Sequence, residues 1–172
     1  PWQQSDSMEL LYFFDRAGLI NTAGSIASLA ETLRTAIKTG TKNLTVMLYD
    51  TDPTCMLDSF LARHFTQKLA EGIRIVAHAM GAAHIVIETG ADKKDKAISE
   101  IIGSGTDERA ISYLTVPSAY PPENAQTRAA ERHAAVIDAV TALSVYESVT
   151  YNQPMLTTYL LMTGKTVEHA KV

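Results

Sequence analysis

The sequence predicts an α/β fold, a mainly parallel sheet of four to five strands flanked by helices. Three observations predict it. Apolar runs rich in β-branched residues at 43–49 (NLTVMLY), 84–88 (HIVIE) and 110–116 (AISYLTV) have the length and composition of strands. Segments of helical period separate them, so the strands are joined by crossovers rather than hairpins, and such crossovers build parallel sheets. The first clear strand runs into Asp50-Thr51-Asp52-Pro53, which puts two carboxylates at the strand's C-terminal end, the edge where open α/β sheets bind ligands.

The elements follow in order. An amphipathic helix opens at Ser7-Met8-Glu9-Leu10 and runs to about Ala17, with Ser5, Asp6 or Ser7 able to cap it and Gly18 ending it. From Gly24 to Thr39, Ile26, Leu29, Ala30, Leu33 and Ile37 recur at helical spacing, and Gly40 ends the run. After the strand at 43–49, a long helix is expected from about Met56 to Met80, stopped by Gly81. The strand 84–88, a helix over 92–103, the strand 110–116 and a loop from Pro117 to Asn124 come next. The local pattern from Thr127 to Ser148 is helical throughout, and Tyr159 to Met162 reads as a last strand. No repeat, low-complexity segment or long linker divides the chain, so residues 1–172 are expected to form a single domain. The chain begins at Pro1 rather than Met and is expected to be a fragment of a longer protein.

Composition narrows the function classes. An apolar fraction of 46% with 20% charged residues is that of an ordinary globular domain. The net charge is −4 and no basic cluster exceeds Lys93-Lys94-Asp95-Lys96, which argues against nucleic acid. Charges interrupt every apolar run, so no membrane span is expected. Cys55 is the single cysteine, which allows no internal disulfide and no iron–sulfur or cysteine-based zinc set, and fits a reducing, cytoplasmic setting.

Several motif-like strings have bland explanations. Gly164-Lys165-Thr166 looks like the tail of a phosphate-binding loop, but Tyr159 stands where that loop needs its first glycine. Gly103-Ser104-Gly105 follows a helix rather than a strand, so it reads as a cap and turn. His64, His78, His84, His133 and His169 show no metal-ligand spacing. Cys55 is either a reactive thiol near a helix N-terminus or a small buried hydrophobe. Asp50 and Asp52 have two readings as well: ligand-binding carboxylates, or turn chemistry before a proline in which Asp52 caps the helix that follows.

A resemblance bears on that choice. The acidic loop Asp50-Thr51-Asp52-Pro53, followed by a helix containing Glu71-Gly72-Ile73-Arg74-Ile75, resembles the E-C-E-P-like loop and EGIRI helix of the flavin-binding domain of RnfC-like electron-transport subunits, relatives of the flavoprotein subunit of respiratory complex I. Residues Gly81 to Ile98, Tyr120-Pro121, Thr141-Ala142, Tyr146, Pro154 and Met162-Thr163-Gly164 fall at the family's order and spacing, so the similarity spans about Leu10 to Thr166. The resemblance implies a Rossmann-like flavin module in which FMN accepts a hydride from NADH and passes electrons singly to iron–sulfur clusters, which would lie outside this segment. It also implies a cytoplasmic setting, at the inner face of the cell membrane, among the other subunits or domains of a membrane-associated electron-transport complex.

Carried over residue by residue, the resemblance leaves Gly24, Asp50, Asp52 and Thr141 as cofactor-binding positions, with no catalytic residue and no metal ligand. The rest of the flavin set is replaced. The glycine-rich stretch reads Asn21-Thr22-Ala23-Gly24-Ser25-Ile26-Ala27-Ser28, Thr32 stands for a basic residue and Met47 for an asparagine. Glu123 enters the second glycine-rich segment, and the His-Asn-Val-Gly-Thr string becomes Ile137-Asp138-Ala139-Val140-Thr141. The resemblance would also place a short strand near Ala135 to Ile137, against the helical local pattern. Two functions follow: an FMN-linked electron-transfer domain whose flavin binding is weakened or lost, or a non-catalytic structural or interaction domain with the old pocket filled by Met47, Ile26 and Ile137. A third is an acidic loop that takes a cationic or metal-bearing ligand.

Overall fold

The computed structural model describes residues 2–24, 26–51, 56–90, 109–116, 130 and 133–155. A 3-10 turn (Trp2–Gln4) precedes helix α1 (Ser7–Arg16). Of the three candidate caps it is Asp6 that serves: its side chain accepts from the Glu9 N–H at 2.8 Å, and Glu9 reaches back to the Asp6 N–H at 3.2 Å. Strands β1 (Ile20–Asn21) and β2 (Ala27–Ser28) form a short antiparallel hairpin, followed by helix α2 (Leu29–Lys38). The expected helix start at Gly24 is therefore too early. Gly24 has φ +82° in the hairpin turn, and Ser28 caps α2 through the Glu31 N–H. Ile26, counted on the helical face, is 76% exposed.

Strand β3 (Asn43–Met47) leads to helices α3 (Leu57–His64) and α4 (Thr66–Met80). These two replace the single long helix expected from Met56. The break is at Phe65, whose φ −127° and ψ 28° leave the helical region although neither Gly nor Pro marks it. Phe65 packs its ring against the core, so tertiary burial rather than local propensity makes the bend. Helix α4 ends as expected at Gly81, in the left-handed conformation. Strands β4 (His84–Thr89), β5 (Ala110–Thr115) and β6 (Ala134–Asp138) and helix α5 (Ala139–Tyr151) complete the described elements.

Residues 134–138 are a strand, which overturns the helical reading of Thr127 to Ser148 and bears out the strand near Ala135 to Ile137. Alanine is a good helix former, so the string Ala134-Ala135-Val136-Ile137 gives no clear local preference. Pairing with β3 decides it: Leu44 lies beside Ala135 and Val46 beside Ile137 in a parallel ladder. Among the described residues the sheet has the order β5-β4-β3-β6, all parallel, and is flanked by five helices. This is the Rossmann-like α/β architecture expected. The expected helix 92–103, the loop Pro117 to Asn124 and the strand Tyr159 to Met162 lie outside the described residues.

Strand alternation sorts the side chains into two layers. Leu44, Val46 and Leu48, with Ile85, Ile87, Ala135 and Ile137, join the main core against α1, α2, α4 and α5. Met47, Tyr49 and Val116 face the other way, into a smaller cluster with Ala23. Helices α4 and α5 cross so closely that a Cβ on Gly72 would stand 2.0 Å from the Ala142 carbonyl oxygen. The Glu71-Gly72-Ile73-Arg74-Ile75 string thus has a packing explanation. Gly72 permits the crossing, Ile73 and Ile75 are buried, and Glu71 holds the Trp2 indole N–H at 2.8 Å. No helix of the described residues is long and apolar enough to cross a membrane.

Candidate functional site

Strands β3 and β6 end side by side, with Met47 opposite Asp138. Three carboxylates gather just beyond, each engaged by the N-terminus of a helix. Asp50 Oδ1 accepts from the Asp58 N–H at 2.8 Å and the Ser59 N–H at 3.3 Å, closing the first turn of α3. Asp58 Oδ1 accepts from the Ala139 N–H at 3.0 Å, the first residue of α5. Asp138 caps the same helix, accepting from the Thr141 N–H at 2.8 Å and the Thr141 hydroxyl at 2.6 Å. The arrangement follows from helix ends: the first N–H groups lack intrahelical acceptors and carry the positive end of the dipole, so carboxylates satisfy both needs.

The β1–β2 hairpin is bonded into the same junction. Thr22 donates its hydroxyl to the Asp138 carboxylate (2.6 Å to Oδ2), and its N–H reaches Thr141 Oγ1 at 3.1 Å. Asn21 donates to the Val136 carbonyl at 2.8 Å and accepts from the Ala23 N–H at 3.1 Å. Asn21, Asp138 and Thr141 are all buried, so this is a satisfied interior network. It ties the Asn21–Ala23 segment of the hairpin to the β6–α5 corner.

The cofactor positions expected from the sequence are placed as follows. Thr141 is fully buried inside this network. Asp50 is half-buried and accepts from the first turn of α3, a capping role that the sequence reading weighs for Asp52 instead. Gly24 is exposed in the hairpin turn, where its positive φ alone accounts for a glycine. Asp52 lies outside the described residues, as does Cys55. The expected plug of Met47, Ile26 and Ile137 is not formed: Ile137 and Met47 belong to clusters on opposite faces of the sheet, and Ile26 points to solvent. Thr32 donates to the Ser28 carbonyl at 2.9 Å, and with Asn21, Thr35 and Val136 lines a cavity of about 320 Å³ between α2 and β6. Asp50, Gly24 and Thr141 do not line it.

Asp58 escaped the sequence reading, and Asn21 and Thr22 appeared in it only within the replaced glycine-rich stretch. Asp138 was visible only as a replaced position. Its signal was an aspartate directly after an apolar run and three residues before a threonine, the spacing of a helix cap. Asp58 carried no such signal, because it lies inside a helix and meets its partners only through the fold. The site is strongly acidic, yet among the described residues no group of three or more His, Cys, Asp or Glu is arranged to hold a metal ion.

Burial pushes the Asp58 carboxyl up to about 7, helped by the charges of Asp138 and Asp50 and opposed by the N–H groups of Ala139 and Val140. For Asp50 the expected contribution is that of an ordinary cap. Asp50→Ala should lower stability by about 1 kcal/mol, read as a shift of the urea midpoint, and a null shift would remove its capping role.

Comparison with known proteins identifies the fold. Two solved structures of NAD+-reducing [NiFe]-hydrogenase, in the H2-reduced and the air-oxidized state, superpose with a TM-score of 0.68 each. The matches cover 84% of this chain, at 16% and 17% sequence identity. They cover 31% and 30% of the hydrogenase chains, so this chain spans less than a third of the length of the proteins it matches. At such identity the likeness establishes a shared fold. No protein-family model matches the sequence, and no curated protein matches it either.

Proposed function

We propose that this chain is a domain of an RnfC-like electron-transport protein that keeps the flavin-module fold while its own side chains take up the positions a flavin would use. In this reading it serves as a non-redox structural or interaction domain, facing other subunits or domains of an electron-transport complex on the cytoplasmic face of the cell membrane. Support for the context comes from the motif order along the sequence and from the fold shared with a chain of NAD+-reducing [NiFe]-hydrogenase.

The single observation that carries the loss of cofactor is the state of the α5 N-terminus. Its N–H groups at Ala139 and Thr141 are already bonded to Asp58 and Asp138, and the Val140 N–H also acts on Asp58. An FMN phosphate brought there would meet the carboxyl groups of Asp58 and Asp138 in a partly buried corner, where any negative charge on them opposes it. Thr141 cannot turn to a ligand without leaving Asp138 and the Thr22 N–H. The residues present do not fit the phosphate of FMN, and Gly24 offers one glycine where a cradle needs several.

The test is direct. The purified domain should be colourless at roughly 450 nm, the flavin band. FMN at about millimolar concentration should leave its Tm unchanged, since a ligand that binds the native state raises stability by mass action. A yellow protein with stoichiometric flavin, or a Tm that climbs with FMN, would return the domain to flavin chemistry.

A further inference from the structure

We propose that Asp58 is a proton-operated latch, which fastens helix α3 to the N-terminus of α5 when protonated and loosens that contact when it ionises against Asp50 and Asp138. The inference goes beyond the proposed function and does not depend on whether FMN binds.

The geometry carries it. Asp58 stands between two other carboxylates in one continuous chain of bonds: Asp50 accepts from the Asp58 N–H, Asp58 accepts from the Ala139 N–H, and Asp138 accepts from the Thr141 N–H. Only Oδ1 of Asp58 is used by Ala139, so a proton on Oδ2 leaves the docking bond intact. Ionisation places a negative charge beside two other carboxylates in a partly desolvated junction, which favours opening of the contact over keeping it closed. The α5 dipole and two backbone N–H groups favour the charge; burial and the two neighbours oppose it. The opposing side is the larger, and it brings the proton's release into the neutral range, at about 7.

Among the described residues, the charged groups on the elements packed around α3 are these. The loop after β3 contributes Asp50, and the β6–α5 junction contributes Asp138. The hairpin presents the uncharged Thr22 and Asn21, both bonded within the corner. On α4, Lys68 is paired with Glu147 of α5, and Arg74 with Glu71. On α3 itself, Arg63 and His64 lie in the last turn, with the His64 ring 4.3 Å from that of Phe60. The junction therefore sets two further carboxyl groups beside Asp58, the elements of a pH-dependent contact.

The sign follows from linkage. The folded Asp58 holds its proton up to about 7, whereas in the unfolded chain it loses it near the ordinary aspartate value of 3.8. Its favourable contribution is complete below the lower value and is lost as pH rises through the upper one.

Two measurements on the intact chain test the latch. Carboxyl-carbon NMR of the wild-type protein reads Asp58 directly, and urea unfolding compared with Asp58→Asn reads its linkage. Asn keeps an oxygen for the Ala139 N–H and removes the charge. Asp58 should titrate near neutrality. The wild-type unfolding constant, divided by that of Asp58→Asn, should climb towards about tenfold per pH unit between the two values. Amide exchange at Asp58, Ser59 and Ala139, corrected for intrinsic rates, should accelerate several-fold between the two values and level off above the upper one in wild type, but not in Asp58→Asn. A carboxyl titrating near its unfolded value would overturn the proposal. So would parallel stability profiles, or a stability slope without loss of amide protection in α3. If Asp58→Asn fails to fold, the wild-type titration and exchange decide the matter alone.

Discussion

Gly72→Ala is expected to destabilise the domain by about 3 kcal/mol or more, a large part of the roughly 5–15 kcal/mol that holds a domain of this size. The added Cβ would lie 2.0 Å from the Ala142 carbonyl oxygen, well inside any real contact. The obstacle is backbone, so no rotamer change relieves it. Helices α4 and α5 would have to move apart along a seam that buries Ile73, Val76, Leu143 and Val145. Helix propensity acts the other way, since alanine in a helix interior is better than glycine by about 1 kcal/mol. A substitution that improves local propensity and still lowers stability isolates the tertiary term. The check is the urea midpoint together with the slope m; an unchanged midpoint would show that the helices can separate without cost.

Asp138→Ala is the second large effect. It removes the acceptor of the Thr22 hydroxyl, the Thr141 N–H and the Thr141 hydroxyl at a buried corner. The expected loss is about 2–4 kcal/mol, above that of an ordinary surface cap because partners are left buried and unpaired. The loss should depend on pH. Where Asp58 is ionised, removing the neighbouring charge relieves a repulsion, so the variant should be less damaging at about pH 8 than at about pH 5. Equal losses at both values would mean that Asp58 and Asp138 do not act on each other. The same variant should loosen the hairpin at Thr22 and Asn21, visible as faster amide exchange at Thr22 and Ala23.

Local chemistry made much of the fold legible. The strands at 43, 84 and 110 showed as β-branched runs, α1 showed its cap and its Gly18 stop, and α4 its glycine end. Elements without punctuation were misread. Phe65 breaks a helix with neither Gly nor Pro to announce it. Residues 134–138 are rich in alanine and become a strand because β3 offers a parallel partner. The α2 start was misplaced because Ile26 matched a helical period while Gly24 and the β1–β2 pairing ended the chain's freedom to follow it.

For the site, the sequence placed Asp50 just past the end of β3, since position relative to a strand is itself a sequence property. The partners of that loop were not legible. Asp50 meets Asp58 eight residues on, Asp58 meets Ala139 across the fold, and Thr22 meets Asp138 from a separate hairpin. Such contacts are set by where α3 and α5 begin in space.

The sequence by itself determined the α/β class, the order of most strands and helices, and the edge at which polar groups collect. These depend on periodicity, caps and glycines, which act over a few residues. Only the tertiary structure decided that the carboxylates there are bound to helix N-termini, that Gly72 is needed for a helix crossing, and that Asp58 is held among charges of its own sign. Each of those depends on which elements are brought within a few ångströms of one another, and burial then turns ordinary side chains into a network with its own electrostatics.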